Sequence, residues 1–81
     1  MEKNQYTKEG FREGYWERYY GNGQLDYKGY YKNGKANGYF EFYNYNGQLS
    51  EKGNFLNGDP NGYWEAYNEK GKLFLVEYYM R

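Results

Sequence analysis

Residues 14–25 read GYWERYYGNGQL, residues 38–49 read GYFEFYNYNGQL and residues 62–73 read GYWEAYNEKGKL. One phrase is written three times at a spacing of 24 residues, and a repeat of this period is architecture before it is function. Alignment superposes Gly14, Gly38 and Gly62, then Tyr15, Tyr39 and Tyr63, then Trp16, Phe40 and Trp64. Glu17, Glu41 and Glu65 follow, with Tyr19, Tyr43 and Tyr67 two places on and Leu25, Leu49 and Leu73 closing the phrase. Later in the unit Gly29 matches Gly53, and NGKANG (33–38) matches NGDPNG (57–62). The stretch YTKEGFREG (6–14) repeats the tail of a unit, so one repeat domain spans 1–81: a half repeat at 4–13, then repeats 14–37, 38–61 and 62–81.

Each unit holds two aromatic-rich runs separated by turn signals, with no helical periodicity. Asn22-Gly23 and Asn46-Gly47 suit a two-residue type I′ hairpin, because Asn and Gly tolerate positive φ. The NGKANG and NGDPNG connections read as longer, looser turns. The expected fold is all-β: a single elongated, twisted antiparallel meander of about seven strands built from 24-residue β-hairpin repeats.

With a two-residue loop, Tyr20 faces Leu25, Glu17 faces Lys28, Trp16 faces Gly29 and Tyr15 faces Tyr30. One face then gathers Trp16, Leu25, Tyr31, Phe40, Phe42, Leu49, Phe55, Trp64, Leu73 and Tyr79. The other gathers Tyr15, Glu17, Tyr19, Lys28, Tyr39, Glu41, Tyr43, Lys52, Tyr63, Glu65 and Tyr67, with Glu17–Lys28 and Glu41–Lys52 as cross-strand ion pairs. A three-residue bulged loop would slip the register by one and mix these sets, so the two-residue loop is expected. A large ring facing a cross-strand glycine covers backbone that glycine leaves bare.

The totals fit this picture. In 81 residues there are five Leu, one Val and no Ile, against fourteen Tyr, five Phe and two Trp. Tyrosine carries an apolar ring and a hydroxyl that needs water or a partner, which suits a surface both packed and wet. An aromatic content of 26% argues against disorder. Eleven basic residues balance eleven acidic ones, so the electrostatic footprint of a nucleic-acid binder is missing and attraction to an anionic membrane is not expected. There is no Cys, no apolar stretch of spanning length and no signal-like N-terminus, so a soluble cytoplasmic protein is expected.

The run GYWERYYGNGQLDYKGYYKNGKANG resembles the MORN repeat (membrane occupation and recognition nexus) in its bacterial variant form. Trp16, Tyr19, Tyr20, Asn22, Gly23, Gln24, Leu25, Lys28, Gly29, Tyr31, Asn33, Gly34, Lys35 and Gly38 carry the likeness, which extends from about Tyr6 to Tyr79. The resemblance implies a stack of β-hairpins in a trough-shaped sheet, and recognition instead of catalysis. It further implies an antitoxin- or immunity-type partner protein. The third unit departs from the pattern: Val76 stands where Lys28 and Lys52 stood, Glu77 replaces the glycine, and LFLV (73–76) is apolar on both faces.

Catalysis is not expected. There is no His or Cys, Ser50 and Thr7 lack a visible base, and the acidic residues sit beside Lys and Tyr in repeated frames. No metal or cofactor is expected either. The candidate protein-binding residues are Tyr15, Glu17, Tyr19, Tyr39, Glu41, Tyr43, Tyr63, Glu65 and Tyr67, since rows of tyrosine give large contact area at low entropy cost. Phe74, Val76 and Tyr78 form a candidate edge or interface, through which a homodimer could pair. The expected function is a protein-binding module acting by occlusion, an antitoxin, immunity-type or phage-encoded inhibitor of a partner enzyme or toxin. A glycan-binding module using the Tyr/Trp face and a self-assembling structural scaffold are the alternatives.

Overall fold

The computed structural model describes residues 2–80. Seven strands follow one another in space as in sequence: β1 (Gln5–Tyr6), β2 (Arg12–Tyr19), β3 (Leu25–Lys32), β4 (Lys35–Tyr43), β5 (Leu49–Leu56), β6 (Asp59–Tyr67) and β7 (Leu73–Tyr79). All neighbours are antiparallel, and the sheet is open, with β1 and β7 at its edges. The fold is therefore the all-β meander that the repeat predicts. Its extents of 42 × 36 × 18 Å describe a broad slab instead of an elongated ribbon. Seven strands at a spacing of about 4.8 Å reach roughly as far as one eight-residue strand is long.

The two kinds of turn are exchanged relative to expectation. At Asn33-Gly34 both residues have positive φ (51° and 82°), as do Asn57-Gly58 (51° and 88°). These are the two-residue type I′ turns, joining Lys32 to Lys35 and Leu56 to Asp59. The remainder of NGKANG and NGDPNG lies within β4 and β6, where Gly38 (φ 124°) and Gly62 (φ 81°) bulge out of register. Residues 21–23 form instead a three-residue loop closed by Tyr20 N–H to Gln24 C=O (2.8 Å) and Gly23 N–H to Tyr20 C=O (3.0 Å). Of its two glycines only Gly23 has positive φ (89°). The Asn22 side chain decides the matter: its Oδ1 accepts the Gln24 N–H at 2.9 Å, holding Asn22 out of the left-handed region. Residues 44–48 repeat the arrangement with Asn46. Residues 68–72 repeat its backbone bonds with Lys70 in the place of Asn22, and there Asn68 Oδ1 accepts the Lys70 and Lys72 N–H groups at 2.9 and 3.0 Å.

A three-residue loop alone would have mixed the two faces. A second irregularity cancels it: Arg18 pairs with Tyr27 but Tyr19 pairs with Leu25, leaving Asp26 as an extra residue. Ser50 and Phe74 occupy the same place in the later units. Leu25 thus faces Tyr19 and not Tyr20, and Leu49 and Leu73 face Tyr43 and Tyr67 of the tyrosine rows. Beyond the bulge the expected register holds: Glu17 with Lys28, Trp16 with Gly29 and Tyr15 with Tyr30.

The core is a single layer of rings. Among the described residues, the buried side chains are those of Trp16, Phe40 and Trp64. Tyr31 bridges Trp16 and Phe40 edge-on at centroid distances of 6.0 and 5.5 Å, and Phe55 bridges Phe40 and Trp64 at 5.0 Å each. Phe42 stacks between Phe40 (5.8 Å) and Trp64 (6.1 Å). Such contacts are worth about 0.5–1.5 kcal/mol apiece beyond area burial. Arg12 closes one end of the layer, its guanidinium 4.7 Å from the Trp16 ring centre while Nη1 donates to the Tyr27 and Tyr31 hydroxyls at 3.2 Å.

Glycine is required beneath the rings. A Cβ on Gly29 would lie 2.3 Å from the Phe40 ring, and one on Gly53 would lie 2.2 Å from Trp64. The covering ring comes from the following strand, so Phe40 and not Trp16 lies over Gly29, although both are its register partners. Gly53→Ala is expected to cost about 1–3 kcal/mol by overpacking, whereas Glu77→Ala, at the same place in the repeat, is expected to stay within about 0.5 kcal/mol. Urea unfolding measures both, and equal costs would show that ring coverage is not the constraint.

Candidate protein-binding face

The face opposite the rings is organised around one row that crosses the sheet. Register places Glu17, Lys28, Glu41, Lys52, Glu65 and Val76 side by side on β2 through β7. Charge alternates along the row and ends on a neutral residue. Tyrosines stand two residues before and after each glutamate, because side chains of a strand return to one face with a period of two.

Those tyrosines are hydrogen-bonded to the carboxylates they flank. Tyr15 Oη donates to Glu17 at 2.7 Å, and Tyr19 Oη donates to the other oxygen of the same carboxylate. Tyr39 and Tyr43 hold Glu41 in the same way at 2.7 and 2.5 Å. In the third unit Tyr67 donates to Glu65 at 2.8 Å. Tyr63 leaves the pattern: it packs against Tyr78 with ring centres 4.6 Å apart and is 69% exposed, the most open of the row. The structure thus gathers eight of the nine candidate residues into three tyrosine–carboxylate clusters and sets Tyr63 beside β7.

The ion pairs depart from expectation. Lys28 bridges to Glu41 at 3.3 Å and Lys52 to Glu65 at 3.6 Å, each reaching forward to the next hairpin. Glu17–Lys28 and Glu41–Lys52 are register neighbours, but Glu17 takes its ion pair from Lys3 at 2.7 Å. Two phenol hydroxyls already pin each of the first two carboxylates, one on each oxygen, and the lysine shares Oε1 with Tyr19 or Tyr43.

These contacts set the electrostatics. Hydrogen bonds from Lys3, Tyr19 and Tyr15 hold the Glu17 carboxyl down at about 2. For Glu41, burial acts upward, but the hydrogen bonds of Tyr43, Tyr39 and Lys28 outweigh it and the net shift is down. Burial, then the hydrogen bond to Glu41, pushes the Tyr43 phenol up to about 12, and the same two causes raise Tyr39. Tyr15 is raised by burial and by Glu17. In the first two clusters the neutral phenols of Tyr15, Tyr39 and Tyr43 are therefore fastened to the ionised carboxylates of Glu17 and Glu41.

Between the first two clusters lies a cleft of about 380 Å³ lined by Tyr15, Lys28, Gly29, Tyr30, Tyr39 and Glu41. Tyr30, absent from the sequence-based candidates, packs on Tyr15 at 5.4 Å and supplies one wall. Lys3 and Asn4 were also missed. Lys28 and Lys52 precede their glutamate partners by 13 residues, and Lys3 precedes Glu17 by 14; that near-match was the available signal. Among the described residues, no group of three potential metal-ligating side chains comes together. Phe74, Val76 and Tyr78 are all exposed on β7, with Val76 opposite Glu65, Tyr78 opposite Tyr63 and Phe74 at the bulge. No family model, curated protein or solved structure matches the chain, so the reading of this face rests on its own geometry.

A carboxyl with a folded pKa below its unfolded value contributes stability that is present above the unfolded pKa and is lost as pH falls through the folded one. For Glu17 that window runs from its unfolded value of about 4.3 down to about 2. Carbon-detected NMR titration is expected to show the Glu17 carboxyl still ionised at about pH 3, where an unpaired glutamate is largely protonated. A midpoint near the unperturbed value would mean that the Lys3–Tyr15–Tyr19 cluster does not form in solution.

Proposed function

We propose that this chain is a MORN-type protein-binding module that acts by occlusion, docking its tyrosine face over the working surface of one partner protein, an enzyme or a toxin, in the manner of an antitoxin, immunity protein or phage-encoded inhibitor. The observation that supports this most is the fastening of the tyrosines before any partner arrives. Tyr15, Tyr19, Tyr39, Tyr43 and Tyr67 are each held by a carboxylate on a rigid strand, so few side-chain rotamers remain to be frozen on binding. Tyr19, Tyr39 and Tyr63 remain 49%, 39% and 69% exposed, a ring surface suited to interface anchors. The charge row is internally neutralised, so complementarity would come from ring packing and phenol or carboxylate hydrogen bonds and not from net charge.

Replacing Tyr39, Tyr43 and Tyr67 with Ser together is expected to leave the ring core standing and to lower partner affinity by about tenfold or more, since buried tyrosine anchors are worth about 2 kcal/mol or more each. The measurement is capture from a lysate of the source cells by wild type and triple variant side by side, followed by an activity assay of the captured enzyme. One stoichiometric protein, inhibited by wild type and lost by the variant, is the expected result. Equal capture by both would remove the tyrosine face from consideration. Capture of no protein, with chemical-shift changes at Tyr15, Tyr30 and Tyr39 on adding oligosaccharides, would favour a glycan in the cleft.

A further inference from the structure

The two edges of the sheet are finished differently. At the β1 edge the Asn4 side chain stands in for a strand: its Oδ1 accepts the Glu17 N–H at 2.8 Å and its Nδ2 donates to the Glu17 C=O at 3.2 Å. The Asn4 N–H also donates to the Tyr15 C=O at 2.9 Å, and β1 itself is two residues long. The β2 backbone at Tyr15 and Glu17 is thereby satisfied by Asn4 and closed to a further strand. At the other edge β7 is seven residues long and every residue is exposed, including Leu73, Phe74, Leu75, Val76 and Tyr78. An uncapped, apolar edge strand is a template for strand addition.

We infer that β7 pairs with β7 of a second copy of this chain, antiparallel about a twofold axis at Val76, to form a continuous fourteen-stranded sheet. Three observations select this occupant. First, the Asn4 cap denies β7 the opposite edge of another copy, which blocks head-to-tail growth and leaves the closed, isologous arrangement. Second, Glu77 stands where Gly29 and Gly53 admit the ring of the next strand. A strand presenting such a ring, as each repeat does, would meet the Glu77 Cβ at the 2.2–2.3 Å closest approach that forbids any side chain on those glycines. The partner strand must offer something smaller opposite Glu77. Third, β7 supplies it. In antiparallel pairing opposite residues share a face, so a twofold strand pair must centre on one residue. The bulge at Phe74 turns Leu73 to the tyrosine face, away from that of Tyr79, so centring on Val76 pairs five residues: Val76 meets Val76, Leu75 meets Glu77 and Phe74 meets Tyr78. Centring on Glu77 sets two carboxylates together, and centring on Leu75 pairs only three residues, because Leu73 and Glu77 lie on opposite faces.

The row on the tyrosine face carries the same logic. Lysines occupy the place of Val76 in the two earlier units, and a lysine there would confront its own copy across the axis. The neutral residue falls where twofold symmetry forbids a charge.

The test uses the intact chain. Sedimentation equilibrium across about 1–200 µM is expected to give a mass approaching twice 9.9 kDa for wild type. Val76→Lys is expected to be monomeric over that range, with affinity reduced by about tenfold or more by like-charge opposition. It should fold normally, because Glu65 lies opposite position 76, and unchanged circular dichroism checks this. Val76→Thr should remain dimeric. The chain has no cysteine, so Val76→Cys is expected to oxidise to a covalent dimer while Tyr78→Cys does not, since only a residue on the axis meets its own copy within about 4.4–6.8 Å. A wild type that stays monomeric, or a Val76→Lys variant that dimerises like wild type, overturns the pairing. Neither outcome bears on partner capture by the tyrosine face.

Discussion

Everything in this sheet depends on a ring lying on a glycine of the strand before it. Phe40 covers Gly29 and Trp64 covers Gly53 so closely that no Cβ fits between. A single-layer sheet has no second layer to bury its apolar face, and the rings supply one by covering backbone and touching each other edge to face. The arrangement has a direction. Each ring belongs to the later strand, so every unit completes the unit before it and leaves its own glycine position to be completed by the next. Position 77 receives no ring among the described residues, and there the glycine gives way to Glu77. At the opposite end Trp16 rests on β1, donating Nε1–H to the Gln5 C=O at 3.1 Å and meeting Tyr6 edge-on at 5.1 Å.

The tyrosine face is ordered by a different interaction. Exposed ion pairs such as Lys52–Glu65 contribute little to stability, about 0–1 kcal/mol each, and the ring layer outweighs them. Their consequence is positional. A carboxylate that accepts two phenol hydroxyls and a lysine has few arrangements left, and it fixes the tyrosines in turn. One face therefore makes the fold and the other is free to be a surface, with the strand backbone dividing the two.

Most of this was legible because the constraint repeats. Trp16, Phe40 and Trp64 as core, the tyrosine–glutamate face and the register of Glu17 with Lys28 follow from a 24-residue period and a strand period of two. The turns were misread because Asn-Gly occurs in both connections and the dipeptide alone does not distinguish them. What separates them is whether the asparagine side chain finds a backbone N–H two residues on, as Asn22 and Asn46 do, or the residue itself adopts positive φ, as Asn33 and Asn57 do. Beyond the bulges at Asp26, Ser50 and Phe74 the face sorting holds, because they cancel the extra loop residue. Leu25, Leu49 and Leu73, however, move from the expected ring face to the tyrosine rows, and nothing in those three dissimilar bulge residues announces it. Lys3 and Asn4 escaped notice since they act outside the repeat frame, with an asparagine side chain doing the work of a strand.

The departures of the third unit make sense together once the edges are compared. Lysine lost at Val76, glycine lost at Glu77 and polar residues lost at Phe74 each look like decay of the repeat when taken singly. All three lie on β7, which no later strand covers among the described residues. There the forward ion pair has no glutamate to reach, the glycine has no ring to admit, and apolar side chains are retained where a solitary edge would favour charge. A twofold axis through Val76 runs perpendicular to the sheet, so it would carry both tyrosine faces to the same side. Pairing through β7 would then leave the proposed binding surface unobstructed and double it, because the edge strand and the tyrosine row use different atoms of the same scaffold.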